Sequence, residues 1–96
     1  MDTLDNERHR TDILNRLKRA EGQLRGIQRM VESGEGCQPI AMQMAAVRKA
    51  LDSTYMHMLR CQMEQQLHAQ LGDAPDADNR IASFMQDMDG LLNKLR

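Results

Sequence analysis

Two cysteines, a set of histidines on one helical stripe and a cluster of arginines are the side chains of this chain best suited to chemistry, and their spacing limits what that chemistry can be. Cys37 lies in GEGCQP, in the turn before Pro39 opens a new segment. A thiol just before a helix N-terminus meets the positive end of the dipole and unpaired N–H groups, which favour the thiolate. Such a thiol is a nucleophile and a soft-metal ligand; a small buried hydrophobe is the competing reading. Cys61 is 24 residues further on, so the pair is neither a CxxC motif nor a disulfide framework. His57, Cys61, Glu64 and His68 follow one another at i, i+4, i+7 and i+11, a spacing that can set metal ligands along one helix face. Packing for Cys61 and ordinary surface positions for His57 and His68 are the plainer account. Met42, Met44, Met56, Met58 and Met63 would suit thioether ligation of Cu(I), but their helical positions favour core packing.

The second constellation is basic. Between Arg8 and Arg29 stand seven basic residues (Arg8, Arg10, Arg16, Lys18, Arg19, Arg25 and Arg29) against Asp12 and Glu21, a local charge of +5 in a chain of net charge −1. After Asp73 the balance reverses, with Asp73, Asp76, Asp78, Asp87 and Asp89 against Arg80, Lys94 and Arg96. A basic stripe on a near-neutral protein attracts a polyanion without making the whole surface adhesive. Arg16 and Arg19 are three apart, Arg25 and Arg29 four apart, and Lys18 and Arg25 seven apart, so each pair shares a helix face. Nucleic-acid binding needs cations that track phosphates; a solvated charged face is the alternative, and composition alone does not decide. No helix-turn-helix pattern is present. Nor is there a glycine-rich phosphate loop, a Ser/His/Asp set or a paired acid and base, so an enzyme is not expected. No apolar run approaches the roughly 20 residues of a membrane span, and the opening MDTLDNERHR is polar, without a signal-peptide core. A reduced, cytoplasmic protein is the expectation.

Three helices must position these groups. Ile13, Leu17, Ala20, Leu24, Ile27 and Val31 step by 4, 3, 4, 3, 4, a seam of coiled-coil type. It predicts a first helix from about Leu4 or Asn6 to Ser33, ended by Ser33-Gly34-Glu35-Gly36 with glycine in the left-handed conformation. Gly22 and Gly26 lie inside it and each costs about 1 kcal/mol against alanine; a close crossing or ligand approach and a tolerated weakness are both open. Pro39 fits the first turn of a second helix, whose seam is Ile40, Met44, Val47, Leu51, Thr54, Met58 and Cys61 and which runs to about Leu71. Its length suits a helix that serves one partner within the chain and another in a second subunit. Gly72-Asp73-Ala74-Pro75 breaks the pattern, Asp76 and Asp78 favour a new N-terminus, and Ile81, Phe84, Met85, Met88, Leu91, Leu92 and Leu95 make a third, shorter amphipathic helix. With 96 residues, one Tyr, one Phe and no Trp, one small domain is expected that completes its core by oligomerising.

RLKRAEGQLRGIQRMVE (Arg16 to Glu32), the Cys37 turn and QMAAVRKAL (Gln43 to Leu51) together resemble the CsoR/RcnR/FrmR family of small all-helical bacterial transcriptional repressors, over nearly the whole chain. The resemblance implies an all-α, three-helix protomer with two long antiparallel helices, paired into dimers and then into a disc-like tetramer. It implies binding of double-stranded operator DNA through basic residues, of which Arg16, Lys18, Arg19 and Arg48 match the family's positions. Arg25 and Lys49 are added from charge alone. It also implies release of DNA by a ligand or modification at a cysteine-centred site between subunits, with Cys37 as the sensing residue.

Here the chain departs from the pattern. The family's metal sensors pair the loop cysteine with a histidine 25 residues on and a cysteine or histidine four further; those positions hold Gln62 and Gln66, which are poor ligands for Cu(I), Ni(II) or Co(II). Cys61 is one residue short, a turn of about 100° on a helix. Formaldehyde sensors use the loop cysteine with a nearby amine, a requirement Cys37 still meets in part. Persulfide sensors use a second cysteine 29 residues later, which is Gln66 here. Thiol chemistry at Cys37 is therefore the leading expectation. A metal-responsive repressor with a site rebuilt from His57, Cys61 and His68, with Cys37 as a further candidate ligand, or one recruiting His9 or His57 of the partner subunit, and a constitutive repressor that has lost sensing stand beside it. No cofactor other than such a metal is implied.

Overall fold

The computed structural model describes residue 4, residues 6–72 and residues 74–95; Asp73, Arg96 and the side chain of Leu95, which the sequence reading used, lie outside the described residues. The described chain forms α1 (Glu7–Glu32), α2 (Cys37–Leu71) and α3 (Ala77–Leu95), with no strand among the described residues. The all-α expectation and the order of elements hold.

Each boundary has a local cause. Asn6 is the N-cap of α1: its backbone is extended and its Oδ1 accepts the His9 N–H at 3.1 Å, satisfying one of the first free donors. At the other end the Gly34 N–H donates to the Val31 carbonyl at 3.2 Å and the Glu35 N–H to the Met30 carbonyl at 3.0 Å. That is the double bond pattern of a Schellman cap, and it requires the φ of +78° that Gly34 adopts. Gly22 and Gly26 have nothing within 4 Å of where a Cβ would stand, so no close crossing within the chain explains them. The two kinds of glycine should respond oppositely to alanine. Gly34→Ala places a Cβ in left-handed backbone, at a cost of about 1–2 kcal/mol, and lowers the thermal midpoint by several degrees. Gly22→Ala recovers up to about 1 kcal/mol of helix propensity and raises it. Thermal melts followed by circular dichroism check both signs.

The start of α2 corrects the sequence reading. Pro39 is not the first helical residue: α2 begins at Cys37, and its first i to i−4 bond runs from the Ile40 N–H to the Gly36 carbonyl at 3.3 Å. Proline is still harmless there, because the donors of the first turn have no intrahelical acceptor in any case. Cys37 is thus the first residue of the helix rather than part of the turn before it.

The described chain divides into two compact units, residues 1–58 and 59–96, with α2 running through both. In the first, α1 and α2 lie antiparallel: His57 meets Asp12 and His9, while Arg16 to Gln23 face Ala50 to Thr54. Their shared core is Ile13, Ala20 and Ile27 from α1 with Val47 and Thr54 from α2. The Thr54 hydroxyl donates to the Ala50 carbonyl at 2.8 Å, which satisfies it inside the core. The intervening seam residues are not in this core. Leu17 and Leu24 are 45% exposed, Val31 57%, Met44 52%, Leu51 39% and Met58 37%. Both predicted seams are therefore split into two columns with a repeat of seven, one buried and one open. Steps of three and four residues place the two columns about 60° or less apart on a helix, and a single neighbouring helix covers only one of them.

In the second unit, Cys61 is completely buried, and α3 contributes Ala77, Ile81 and Met85 to the core. The Asp76 carbonyl accepts the Arg80 N–H at 3.0 Å to start α3. Arg60 Nε lies 2.9 and 3.1 Å from the two Asp89 oxygens and joins α2 to α3. Phe84 and Leu91, on the apolar side of this amphipathic helix, are 43% and 57% exposed. No described helix is long and apolar enough to cross a membrane.

Candidate nucleic-acid interface and sensing residue

The basic residues do not form one uniform face. Arg16 is half-buried at a shallow groove that it lines together with Arg19, Ala20 and Gln23 from α1 and Ala50, Ser53 and Thr54 from α2. Alanines and a serine line it beside the arginines, so the two helix backbones are thinly covered there. Lys49 is exposed one turn before Ser53, on the same flank of α2. Arg48, one residue away, is turned from that flank by about 100°. Lys18 and Arg25 are exposed on the outer side of α1. The structure thus brings Arg16 and Arg19 together, keeps Lys49 on their flank and does not bring Arg48, Lys18 or Arg25 to the same groove.

Charge pairing sorts them further. Arg25 is paired with Glu21 one turn before it. Lys18, Arg19, Arg29, Arg48 and Lys49 have no ion-pair partner among the described residues. Arg16 donates from Nε to Asp12 Oδ2 at 2.9 Å, and His57 Nε2 lies 2.9 Å from the same oxygen. The hydrogen bond from Arg16 holds the Asp12 carboxyl below its ordinary range; the positive charge of Arg16, His57 and His9 adds to that, against the desolvation that opposes it. Sequence reasoning treated Asp12 only as a charge opposing the basic run. The signal was present, since an acid four residues before an arginine is the favourable order on a helix, but nothing in the sequence placed His57 opposite it.

Cys37 is exposed and neither cysteine forms a disulfide. It heads the open column of α2: Cys37, Met44, Leu51 and Met58 follow at intervals of seven, all exposed. The thiol therefore belongs to the apolar face that this chain leaves uncovered, and the reading of Cys37 as a small buried hydrophobe fails for the single chain. The expectation that the methionines of α2 pack in the core is also corrected. Met42 is 65% and Met44 52% exposed, and Met56 and Met63 are half-buried. The buried column passes through Val47, Thr54 and Cys61 instead.

The stripe of possible metal ligands is not assembled. His57 is held at Asp12, Cys61 is sealed in the second unit, Glu64 stands 3.9 Å from Arg60, and His68 is 4.0 Å from Asp78. Among the described residues no three His, Cys, Asp or Glu side chains are placed to share a metal ion. Gln62 and Gln66 are exposed and offer only amides. Among the described residues of one chain the donor set does not fit a metal.

The described chain is thus all-helical, with a groove lined by Arg16 and Arg19, an uncovered apolar face and an exposed thiol at the head of that face. Comparison with known proteins makes the class definite. The family described as metal-sensitive transcriptional repressor matches residues 9–96. The copper-sensing transcriptional repressor CsoR of Bacillus subtilis is 42% identical over 67 residues, which span 70% of this chain and 62% of that protein's length. The copper-sensing transcriptional repressor RicR of Mycobacterium tuberculosis is 35% identical over 68 residues, 70% of this chain and 71% of the relative. A Serratia marcescens protein described only by its place in the bioA 5′ region is 30% identical over 89 residues, 93% of this chain and 90% of its own. No solved structure matches significantly. The chain belongs to the CsoR/RcnR type of the metal-sensitive transcriptional repressor family, a family of regulators rather than enzymes.

Proposed function

We propose that this chain is a cytoplasmic, homo-oligomeric repressor that binds double-stranded operator DNA and whose operator affinity is set by thiol chemistry at Cys37. The observation that carries the sensing part is the contrast between an exposed Cys37 on the open apolar column and the absence, among the described residues, of any three-donor cluster. Arg16, Arg19 and Lys49 supply the phosphate contacts of the groove, and Lys18, Arg48 and Arg25 supply outer ones. The open columns on α1 and α2 are covered by a second copy, and pairs of such dimers form the tetramer. Modification of Cys37, at the first turn of α2 and the edge of that subunit contact, changes helix packing and withdraws the basic groove from DNA. A shift from mostly bound to mostly released needs a preference of about 5.5 kcal/mol for the released state, within reach of a covalent adduct.

The names of two relatives favour a second reading, a copper-responsive repressor whose site is completed between subunits. One experiment separates the two. Fluorescence anisotropy on duplex DNA from the chain's own promoter is titrated with Cu(I), Ni(II), formaldehyde and a persulfide donor, for the wild type and Cys37→Ala. The thiol reading expects release by formaldehyde or persulfide in the wild type only, and none by stoichiometric metal. Release by Cu(I) at one equivalent per chain would replace it with the copper reading. DNA binding indifferent to every reagent would mean a repressor that has lost sensing.

A further inference from the structure

Arg16 is held in an unusual way for a half-buried helix cation. Its Nε donates to Asp12 Oδ2, one turn earlier, while its terminal Nη groups have no partner among the described residues. The same Asp12 oxygen lies 2.9 Å from His57 Nε2 on α2, and the His9 ring sits edge-on to His57 at 6.1 Å between centroids. Asp12 is therefore gripped from both helices, and its orientation is not that of a free surface acid. Beyond Arg16 the groove continues to Arg19, Gln23 and Ser53. A guanidinium engaged through Nε keeps both Nη groups available, the pair that can take a phosphate in two parallel hydrogen bonds. Anchoring before binding also removes the rotamer freedom that an unrestrained arginine loses on contact.

We propose that Asp12 is a positioning residue for DNA: it holds Arg16 by Nε so that the Nη fork meets a backbone phosphate at the mouth of the groove shared with Arg19. This rests on the DNA-binding reading above. It is opposed by charge counting, since removing an acid from beside an arginine normally strengthens attraction to a polyanion. The sign of the effect therefore discriminates. Through His57 the same carboxylate ties the fork to α2, so a displacement of α2 against α1 moves a phosphate contact directly.

The test is a double-mutant cycle in the full-length chain, with Kd for own-promoter duplex measured by anisotropy over a range of salt. Asp12→Ala is expected to weaken binding about tenfold and to lower the slope of log K against log salt by about 0.9, the value of one phosphate contact. In an Arg16→Ala background the same change should weaken binding less than twofold. Asp12→Asn, which keeps the helix surface and an acceptor oxygen, should give an intermediate loss, and helicity by circular dichroism should be unchanged in all variants. Equal or tighter binding by Asp12→Ala, or the same loss with and without Arg16, overturns the proposal. An Arg16→Ala variant that binds normally overturns the proposal as well, whereas absence of salt-dependent binding by the wild type overturns the DNA reading instead.

Discussion

Replacing Arg16 and Arg19 together by alanine is expected to weaken binding to own-promoter DNA about a hundredfold at moderate salt and to remove about two from the slope of log K against log salt. Both side chains line one groove, so both are expected to meet the same stretch of DNA backbone, and Arg19 has no ion-pair partner among the described residues whose loss would confuse the result. Arg25→Ala serves as the internal comparison. Its guanidinium is already neutralised by Glu21 on the outer side of α1, and it should cost less than threefold. A loss spread evenly over all the basic residues would mean a diffuse electrostatic attraction and no particular groove.

The second large effect concerns the two columns of the helical seams. Val47 is 4% exposed and Leu51, one turn on, is 39% exposed, yet both occupy seam positions in the sequence. An unpaired charge at Val47 sits in the core of the first unit and should destabilise it by on the order of 4 kcal/mol. Val47→Asp is therefore expected to lose its helical circular dichroism. Leu24→Glu with Leu51→Glu places charge only on the open column. On the proposed oligomeric reading, that variant should keep most of its helicity and sediment as a protomer, and the wild type is expected to sediment as an oligomer. If the two variants behave alike, the open column is not a subunit contact.

The pair also marks where the sequence stopped being informative. The 4–3 spacing identified α1 and α2 and placed the end of α1 at Ser33, because hydrophobic period and glycine chemistry are local properties. Spacing does not record which of two adjacent columns faces inside the chain. That depends on how α1 and α2 are rotated against each other, a matter of shape between residues more than 25 apart in sequence, such as Ile13 and Val47. The methionines depart from the core for the same reason: Met44 and Met58 follow the periodicity faithfully, on the column that stays open. The sequence does not fix the early start of α2, because Pro39 suits several positions of a first turn equally well. For the proposed site, the basic residues and Cys37 stand out by residue type alone, whereas Asp12 does not. Its part depends on His57, which lies 45 residues away in the chain and meets it only in three dimensions.

The sealed position of Cys61 gives the second unit a built-in reporter of its own breathing. One thiol of the native chain is open to reagents and the other is completely enclosed. A small alkylating reagent labels the first at a rate set by chemistry and the second only when α3 lifts or the whole fold opens. The ratio of the two rates measures the free energy of that opening without denaturant, each molecule carrying its own reference. Repeating the measurement on DNA would then show whether operator binding stiffens the end of the protein that bears no basic groove.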